Sequence, residues 1–129
     1  MKPFLLERTR IGVLDFGTGI IAGLAYQGCT SIPLAGLEKR VASAYPQFKQ
    51  LAETLELKLD FHVSLHKVYG DSPTVRQAIA HPTSCGFAVF NDDRLYLNIR
   101  KADTETIFGS LPGTPELWIT LAQNILDGK

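Results

Sequence analysis

The sequence predicts an α+β protein with a mixed or antiparallel sheet of about five strands and helices packed on at least one face of the sheet. Residues 57–65 alternate strictly between apolar and polar side chains, which is the period of a strand. Residues 33–56 repeat apolar positions every three or four residues, which is the period of a helix. Residues 86–99 hold two short apolar runs around a polar turn. With 129 residues in all, we assign residues 1–129 to a single domain.

The composition limits the class of function. Thirteen Lys and Arg residues balance thirteen Asp and Glu residues, and since nucleic-acid binders usually carry excess positive charge, no nucleic-acid partner is expected. The most apolar run, residues 11–26, is shorter than the roughly 20 residues that a membrane-spanning helix needs, so no membrane association is expected. Cys29 and Cys85 are too few for a disulfide framework and suit a reducing, cytoplasmic location.

The first element is interpreted as a β-hairpin. Residues 11–16 and 20–26 are two short apolar runs, and Gly17-Thr18-Gly19 separates them as a turn. The alternative is a strand, a turn and a helix that Gly28 ends. The hairpin is preferred because Gly23 inside a short helix costs about 1 kcal/mol relative to alanine.

A long amphipathic helix is predicted over residues 33–56. Its apolar positions share one stripe, formed by Leu34, Leu37, Val41, Tyr45, Phe48, Leu51 and Leu55. Pro46 lies within this stretch. Because proline has no N–H and clashes with the preceding turn, we expect either a kink or a break at Tyr45 with Pro46 opening a second helix.

The alternation over residues 57–65 predicts a half-buried strand at the centre of the sheet. Its buried side consists of Leu57, Leu59, Phe61, Val63 and Leu65. Its other side consists of Lys58, Asp60, His62 and Ser64, continued by His66. Two of the three histidines therefore lie on one polar face, which makes that face the first candidate for chemistry.

A short helix and a second hairpin follow. Ser72 as the cap and Pro73 as the first helical residue predict a helix that runs through Ala80 and that His81-Pro82 stops. Residues 86–90 and 95–99 flank the turn of the hairpin, which fits either a two-residue or a three-residue loop. Either register leaves apolar side chains on both faces, so we expect helices, a second sheet or another subunit to cover both.

Two helices complete the chain. The first is expected to begin at an Asp103 cap and to run to Phe108, and residues 109–113 are expected to form a loop. Thr114 and Pro115 begin the second, whose apolar residues are Leu117, Trp118, Leu121, Ala122 and Ile125 and which Gly128 ends. The predicted order of elements is therefore ββαβαββαα.

The polar face of the central strand is the first chemical hypothesis. His62 and His66 lie four strand positions apart, roughly 13 Å, which is too far to share a metal. The sequence therefore predicts no metal site, and it implies no cofactor. Asp60 with His62, or Ser64 with His66, are close enough to cooperate as an acid–base pair. A row of polar side chains facing solvent is the simpler interpretation, and we favour it.

His81 and Cys85 are the second chemical hypothesis, because a nucleophilic thiol needs a base to take its proton. Pro82 and the start of a strand make the spacing awkward. Cys85 is therefore interpreted as a small buried core residue or as a residue at the start of a strand.

The expected function is that of a non-enzymatic ligand-binding or protein-interaction module that self-associates, most simply as a homodimer. Its binding or interface residues are expected at the second hairpin and the last helix: Phe87, Phe90, Arg94, Tyr96, Arg100 and Trp118. The alternative is a small hydrolase or lyase that uses Asp60, His62, Ser64 and His66. Whether the chain is an enzyme, and whether its partner is a small molecule or a protein, stays open at this point.

Overall fold

The computed structural model describes residues 10–63 and 72–127. Its elements, in order, are β1 (Arg10–Ile11), α1 (Val13–Tyr26), β2 (Ser31–Pro33), α2 (Leu37–Thr54), β3 (Lys58–Leu59), α3 (Pro73–Ser84), β4 (Ala88–Asn91), β5 (Arg94–Leu97), α4 (Lys101–Ser110) and α5 (Pro115–Asp127). β1 and β3 form a parallel pair, and β2, β5 and β4 form an antiparallel sheet in that spatial order. The predicted α+β class is confirmed, with the five described strands divided between two sheets.

The first predicted hairpin is wrong, because residues 13–26 form one continuous helix. Helix α1 is buried on nearly all sides, and its fully buried side chains include Phe16, Ile20, Ile21 and Leu24. A helix that other elements surround is apolar all round and loses the amphipathic period by which surface helices are recognised. α1 is therefore the central element of the core, and α3, α4 and α5 pack around it.

The glycines of α1 are sites of close approach between helices. A Cβ placed on Gly17 would lie 1.6 Å from the carbonyl oxygen of Ala78 in α3, and one placed on Gly19 would lie 2.1 Å from Cε3 of Trp118 in α5. A Cβ on Gly23, one helical turn after Gly19, would lie 2.7 Å from the Trp118 carbonyl oxygen. Each glycine weakens the helix by about 1 kcal/mol, and the close packing that it permits offsets this cost.

Helix α2 continues through Pro46 from Leu37 to Thr54, so the proposed break at Tyr45 is not there. Most of its apolar stripe is buried or half-buried as predicted, whereas Leu55 at its end is 41% exposed. Its aromatic side chains meet those of the central helix. The ring of Phe48 lies 5.2 Å from the rings of both Phe16 and Trp118. Such aromatic pairs each add about 0.5–1.5 kcal/mol to the stability that burial provides.

The predicted central strand is much shorter than expected, since β3 covers only Lys58 and Leu59. The predicted sidedness nevertheless holds over residues 57–63. Leu57 and Val63 are buried, whereas Lys58, Asp60 and His62 are exposed. The remaining positions of this prediction, residues 64–66, lie outside the described residues.

Helix α3 begins where predicted and ends four residues later than predicted. The Ser72 hydroxyl accepts a hydrogen bond from the Val75 N–H at 3.3 Å, which confirms the cap. The helix continues through Pro82 to Ser84, so His81-Pro82 does not stop it. Because Pro82 has no N–H, the Ala78 carbonyl lacks its usual helical donor. That carbonyl is the group against which Gly17 packs.

The second hairpin has a two-residue loop, Asp92-Asp93, and Asp92 adopts a left-handed conformation with φ of 58°. Val89 faces Tyr96 across the strands, and Ile32 of β2 faces Leu95 of the central strand β5. Leu95 is fully buried, so one face of this sheet packs on the core.

Helix α4 has Arg100 as its N-cap, and Asp103 lies in its first turn instead of capping it. The helix runs on through Gly109 to Ser110, where a loop was predicted. Helix α5 begins at Pro115 as predicted and buries its five predicted apolar residues. The predicted stop at Gly128 lies outside the described residues. Within the described part of the chain, no helix is long and apolar enough to cross a membrane.

Candidate functional site

The polar row predicted at residues 60–66 is described only in its first half. Asp60 and His62 are exposed, and Ser64 and His66 lie outside the described residues. The Asp60 carboxylate lies 3.9 Å from the Arg10 guanidinium. Among the described residues no hydrogen bond joins Asp60 to His62, so the acid–base pair suggested by their spacing stays a prediction.

His62 lies at the edge of an open depression. Its ring meets the ring of Tyr45 edge-on, with centroids 5.7 Å apart, and the Tyr45 hydroxyl donates to the Phe61 carbonyl at 3.1 Å. Burial raises the pKa of this hydroxyl, which makes Tyr45 a poor proton acceptor near neutral pH. The depression has a volume of about 660 Å³, and Lys49 lies on its wall.

His81 and Cys85 lie closer together than the sequence suggested. Because α3 continues through Pro82, the two residues are one helical turn apart, and Cys85 Sγ lies 3.9 Å from His81 Nε2. Cys85 is exposed, so its interpretation as a core residue is wrong. The two side chains are therefore in contact, and the tautomer of the imidazole decides which of them donates.

The other cysteine has a different environment. Cys29 is half-buried, and its thiol donates to the Ser31 carbonyl at 3.2 Å. Burial raises the pKa of this thiol, and an interaction with the Ser31 backbone and the positive charge of Arg94 offset this rise only in part. Cys29 is therefore a weak nucleophile compared with an exposed thiol.

The predicted interface residues of the hairpin lie in different surroundings. Phe90 is 48% exposed and Tyr96 is 44% exposed, whereas Phe87 is half-buried against the core. The Arg94 guanidinium donates to the Ser31 hydroxyl at 2.9 and 3.1 Å. Arg100 is exposed and pairs with Asp103 of its own helix at 3.0 Å. The exposed apolar residues of this set are therefore Phe90 and Tyr96.

Trp118 does not lie on the surface, so the prediction that it is an interface residue is wrong. Its side chain is fully buried, and its indole N–H donates to the Pro112 carbonyl at 3.0 Å. The aromatic and apolar stripe of α5 is buried inside the molecule against α1 and α2. Trp118 is thus a core residue.

The outer face of the β2-β5-β4 sheet carries uncovered apolar side chains. Val89 is 52% exposed, and it faces Tyr96 directly across the two strands. The sequence predicted apolar side chains on both faces of this hairpin, and only the inner face packs on helices. Val89 was not predicted as a site residue. The available signal was the two-residue loop, because that register puts Val89 on the outer face of the hairpin.

A cavity of about 450 Å³ lies beneath the hairpin loop. Its walls are five apolar side chains and one ion pair. The apolar residues are Leu34, Leu37, Val75, Ile79 and Phe90, and the ion pair is that of Glu38 in α2 and Arg76 in α3. The Arg76 Nε lies 2.9 Å from Glu38 Oε1. No sequence pattern indicated this cavity, because three distant segments form it.

The described residues contain no group of three or more His, Cys, Asp or Glu side chains that could hold a metal ion. Comparisons of this chain with protein-family models, with curated protein sequences and with solved structures found no match. The functional argument therefore depends on the geometry of the hairpin.

Proposed function

We propose that this chain is a non-enzymatic protein-interaction module that self-associates through the open edge of strand β4. The observation that carries the proposal is the exposure of Val89 and Tyr96, which face each other on the outer face of one short hairpin. Phe90, which is also exposed, lies on the opposite face of the hairpin. Scattered single apolar side chains are common on protein surfaces, whereas adjacent ones are typical of interaction sites. A second copy of the chain is the partner proposed.

The hydrogen-bonding pattern of β4 supports edge-to-edge pairing. The Phe87 carbonyl accepts from the Asn98 N–H at 2.8 Å, and antiparallel strands alternate in the direction of their backbone groups. The backbone N–H and C=O groups of Val89, two residues after Phe87, therefore also point to β5. Those of Ala88 and Phe90 point to the open edge. In the described part of the chain, no strand pairs with this edge.

The side chains of β4 lack the features that usually protect an edge strand. Natural edges carry charged residues, proline or a bulge, which prevent pairing with another chain. β2, at the opposite edge of the same sheet, has Pro33. β4 has the sequence Ala-Val-Phe-Asn and carries neither a charge nor a proline. This difference favours β4 as the edge that pairs.

The alternation also defines the register of the proposed dimer. If Ala88 and Phe90 of one copy exchange hydrogen bonds with Phe90 and Ala88 of the other, the two-fold axis passes between the two Val89 residues. Val89 then faces its symmetry mate as a non-hydrogen-bonded pair. The two three-stranded sheets would join into one six-stranded antiparallel sheet, which is an ordinary sheet size.

Replacing Val89 by lysine should abolish self-association. Two lysines would face each other across the axis, and like charges juxtaposed at an interface cost several kcal/mol, a weakening on the order of 100-fold or more. Sedimentation equilibrium of the wild type over a range of micromolar concentrations should show a dimer, and Val89→Lys should show a monomer. Leu14→Lys is the matched control, because Leu14 is 47% exposed and lies on α1.

The control variant should sediment as the wild type does. A wild type that remains monomeric at about 100 µM, well above a micromolar dissociation constant, would show that the proposal is wrong. Equal dimerisation of the wild type and Val89→Lys would show that another surface is responsible.

The proposal includes a cytoplasmic location, which the two free cysteines support. The hydrolase or lyase alternative, with Asp60, His62, Ser64 and His66, has less support. Its described members lie on an open surface, and the Asp60 carboxylate faces Arg10. A catalytic pair would be expected in a more enclosed site, with the carboxylate bonded to the imidazole.

A further inference from the structure

We infer that His81 and Cys85 bind a Zn²⁺ ion at the end of α3, in a site that a carboxylate from the hairpin turn of a second copy completes. The completion of the site rests on the self-association proposed above, whereas the contact of His81 with Cys85 does not. Zn²⁺ is the ion chosen because thiolate, imidazole and carboxylate are its usual ligands in proteins.

The separation of the two side chains fits one metal ion. Zn–S bonds of about 2.3 Å and Zn–N bonds of about 2.0–2.1 Å, at a tetrahedral angle, place the sulfur and the nitrogen about 3.6 Å apart. Cys85 Sγ lies 3.9 Å from His81 Nε2, so a small rotation of either side chain brings both atoms into position. Cys85 is exposed and His81 is half-buried, so an ion can reach the pair from solvent.

The end of α3 also favours a cation. His81 lies in the last turn of the helix and Cys85 is its C-cap, where the helix dipole places a partial negative charge. Binding converts the Cys85 thiol to a thiolate, and the thiol proton passes to solvent. The imidazole binds through a neutral Nε2 with its proton on Nδ1. The ion and the thiolate together keep one positive charge, which a single carboxylate would neutralise.

Two protein ligands do not complete a zinc site. Structural sites have four protein ligands, and catalytic sites usually have three and a water molecule. In the described part of the chain, no third His, Cys, Asp or Glu side chain joins His81 and Cys85. A second copy is therefore the source that we propose for a further ligand.

The register of the proposed dimer brings carboxylates to this place. With Val89 on the two-fold axis, the antiparallel pairing places the residues before β4 of one copy beside the turn after β4 of the other. The residues before β4 include Cys85, and the turn after it is Asp92-Asp93. Both Asp side chains are exposed, and neither forms an ion pair with another described residue. Neighbouring strands lie about 4.8 Å apart, which a side chain can span.

The experiment titrates the full, reduced chain with Co²⁺ and then with Zn²⁺. Co²⁺ reports its ligands by absorption, because a thiolate ligand gives a near-ultraviolet charge-transfer band and tetrahedral coordination gives visible bands. We expect one Co²⁺ per chain with both kinds of band, and Zn²⁺ should displace it. Sedimentation equilibrium should give a dimer dissociation constant at least about tenfold lower with Zn²⁺ than with a chelator, because the ion binds the dimer more tightly than the monomer.

Three variants identify the ligands. Cys85→Ser should abolish the charge-transfer band, and His81→Ala should abolish the visible bands of tetrahedral Co²⁺. The double variant Asp92→Asn with Asp93→Asn should keep the charge-transfer band but lose the effect of Zn²⁺ on dimerisation. All three should dimerise as the wild type does without metal, because none of them alters β4. Cys29→Ser, at the other cysteine, is the matched control and should keep both the bands and the effect of Zn²⁺.

Two results would overturn the inference. The first is a wild type without the charge-transfer band, or with a band that Cys85→Ser retains. The second is an equal dimer dissociation constant with Zn²⁺ and with the chelator. The metal-free samples report self-association by itself. A wild type that dimerises but does not respond to Zn²⁺ therefore contradicts only this inference, whereas a wild type that is monomeric without metal contradicts the proposed function.

Discussion

Replacing Gly17 by alanine should lower the free energy of unfolding by about 3 kcal/mol or more. The new Cβ would lie 1.6 Å from the Ala78 carbonyl oxygen, which is less than half of an ordinary van der Waals separation. A main-chain carbonyl cannot rotate away, so α1 and α3 must separate. Overpacking of a core usually costs about 1–3 kcal/mol and sometimes more. The gain of about 1 kcal/mol in helix propensity does not compensate for it.

Gly109→Ala is the matched control for this prediction. Gly109 lies within α4, and no described atom would be within 4 Å of its Cβ. Its replacement should therefore stabilise the protein by about 0.5–1 kcal/mol through propensity alone. Urea unfolding monitored by circular dichroism measures both variants. If the two substitutions change stability in the same direction, the close contact of α1 and α3 is wrong.

Replacing Trp118 by alanine should lower the free energy of unfolding by about 3–5 kcal/mol, the range for large aromatic residues in cores. The side chain is fully buried, and it packs against Phe48 and over Gly19. Its removal leaves a large cavity and also leaves the buried Pro112 carbonyl without its indole donor. Urea unfolding measures the change.

Trp118→Phe separates the contribution of packing from that of the indole hydrogen bond. Phenylalanine keeps an aromatic ring in the core, but it cannot donate to the Pro112 carbonyl. The variant should therefore lose part of the packing energy, and the unsatisfied buried acceptor should lower the free energy of unfolding by a further 1–3 kcal/mol, roughly. Its stability should lie between those of wild type and Trp118→Ala. A loss below about 1 kcal/mol for Trp118→Ala, typical of surface substitutions, would contradict the place of α5 in the core.

The elements that were predicted correctly have a local periodicity. The stripe of α2, the start of α3 at Ser72 and the start of α5 at Pro115 follow from residues close in sequence. The alternation at residues 57–63 correctly separated buried from exposed side chains, even though β3 itself is short. In that segment the alternation predicted which side chains are buried, although only Lys58 and Leu59 pair with another described strand.

Helix α1 could not be predicted in the same way, because its glycines have a tertiary cause. Gly17 permits contact with Ala78, a residue 61 positions later in the chain. Pro82, which was expected to stop α3, is tolerated inside the helix, and the Ala78 carbonyl that it leaves without a donor faces Gly17. The spacing of Gly19 and Gly23 by one turn was the available sign of helix–helix contact.

The candidate sites were likewise predictable only where they depend on residues close in sequence. The exposed outer face of the hairpin was predictable, because Val89 and Tyr96 lie on alternating positions beside a turn. The contact of His81 with Cys85 was missed because it depends on the continuation of α3 through Pro82. The cavity was missed because Leu34, Glu38 and Phe90 come together only in the folded chain.

Cysteine cross-linking tests edge pairing of β4 most directly. Val89→Cys, made in a protein whose Cys29 and Cys85 are replaced by serine, should form a disulfide-linked dimer under mild oxidation. Non-hydrogen-bonded antiparallel partners have Cα atoms about 4.5 Å apart, within the range of a disulfide. Asn91→Cys is the control, because its symmetry mate would lie four strand positions away, roughly 13 Å. A monomeric Val89→Cys protein, or equal cross-linking of Asn91→Cys, would contradict this interface.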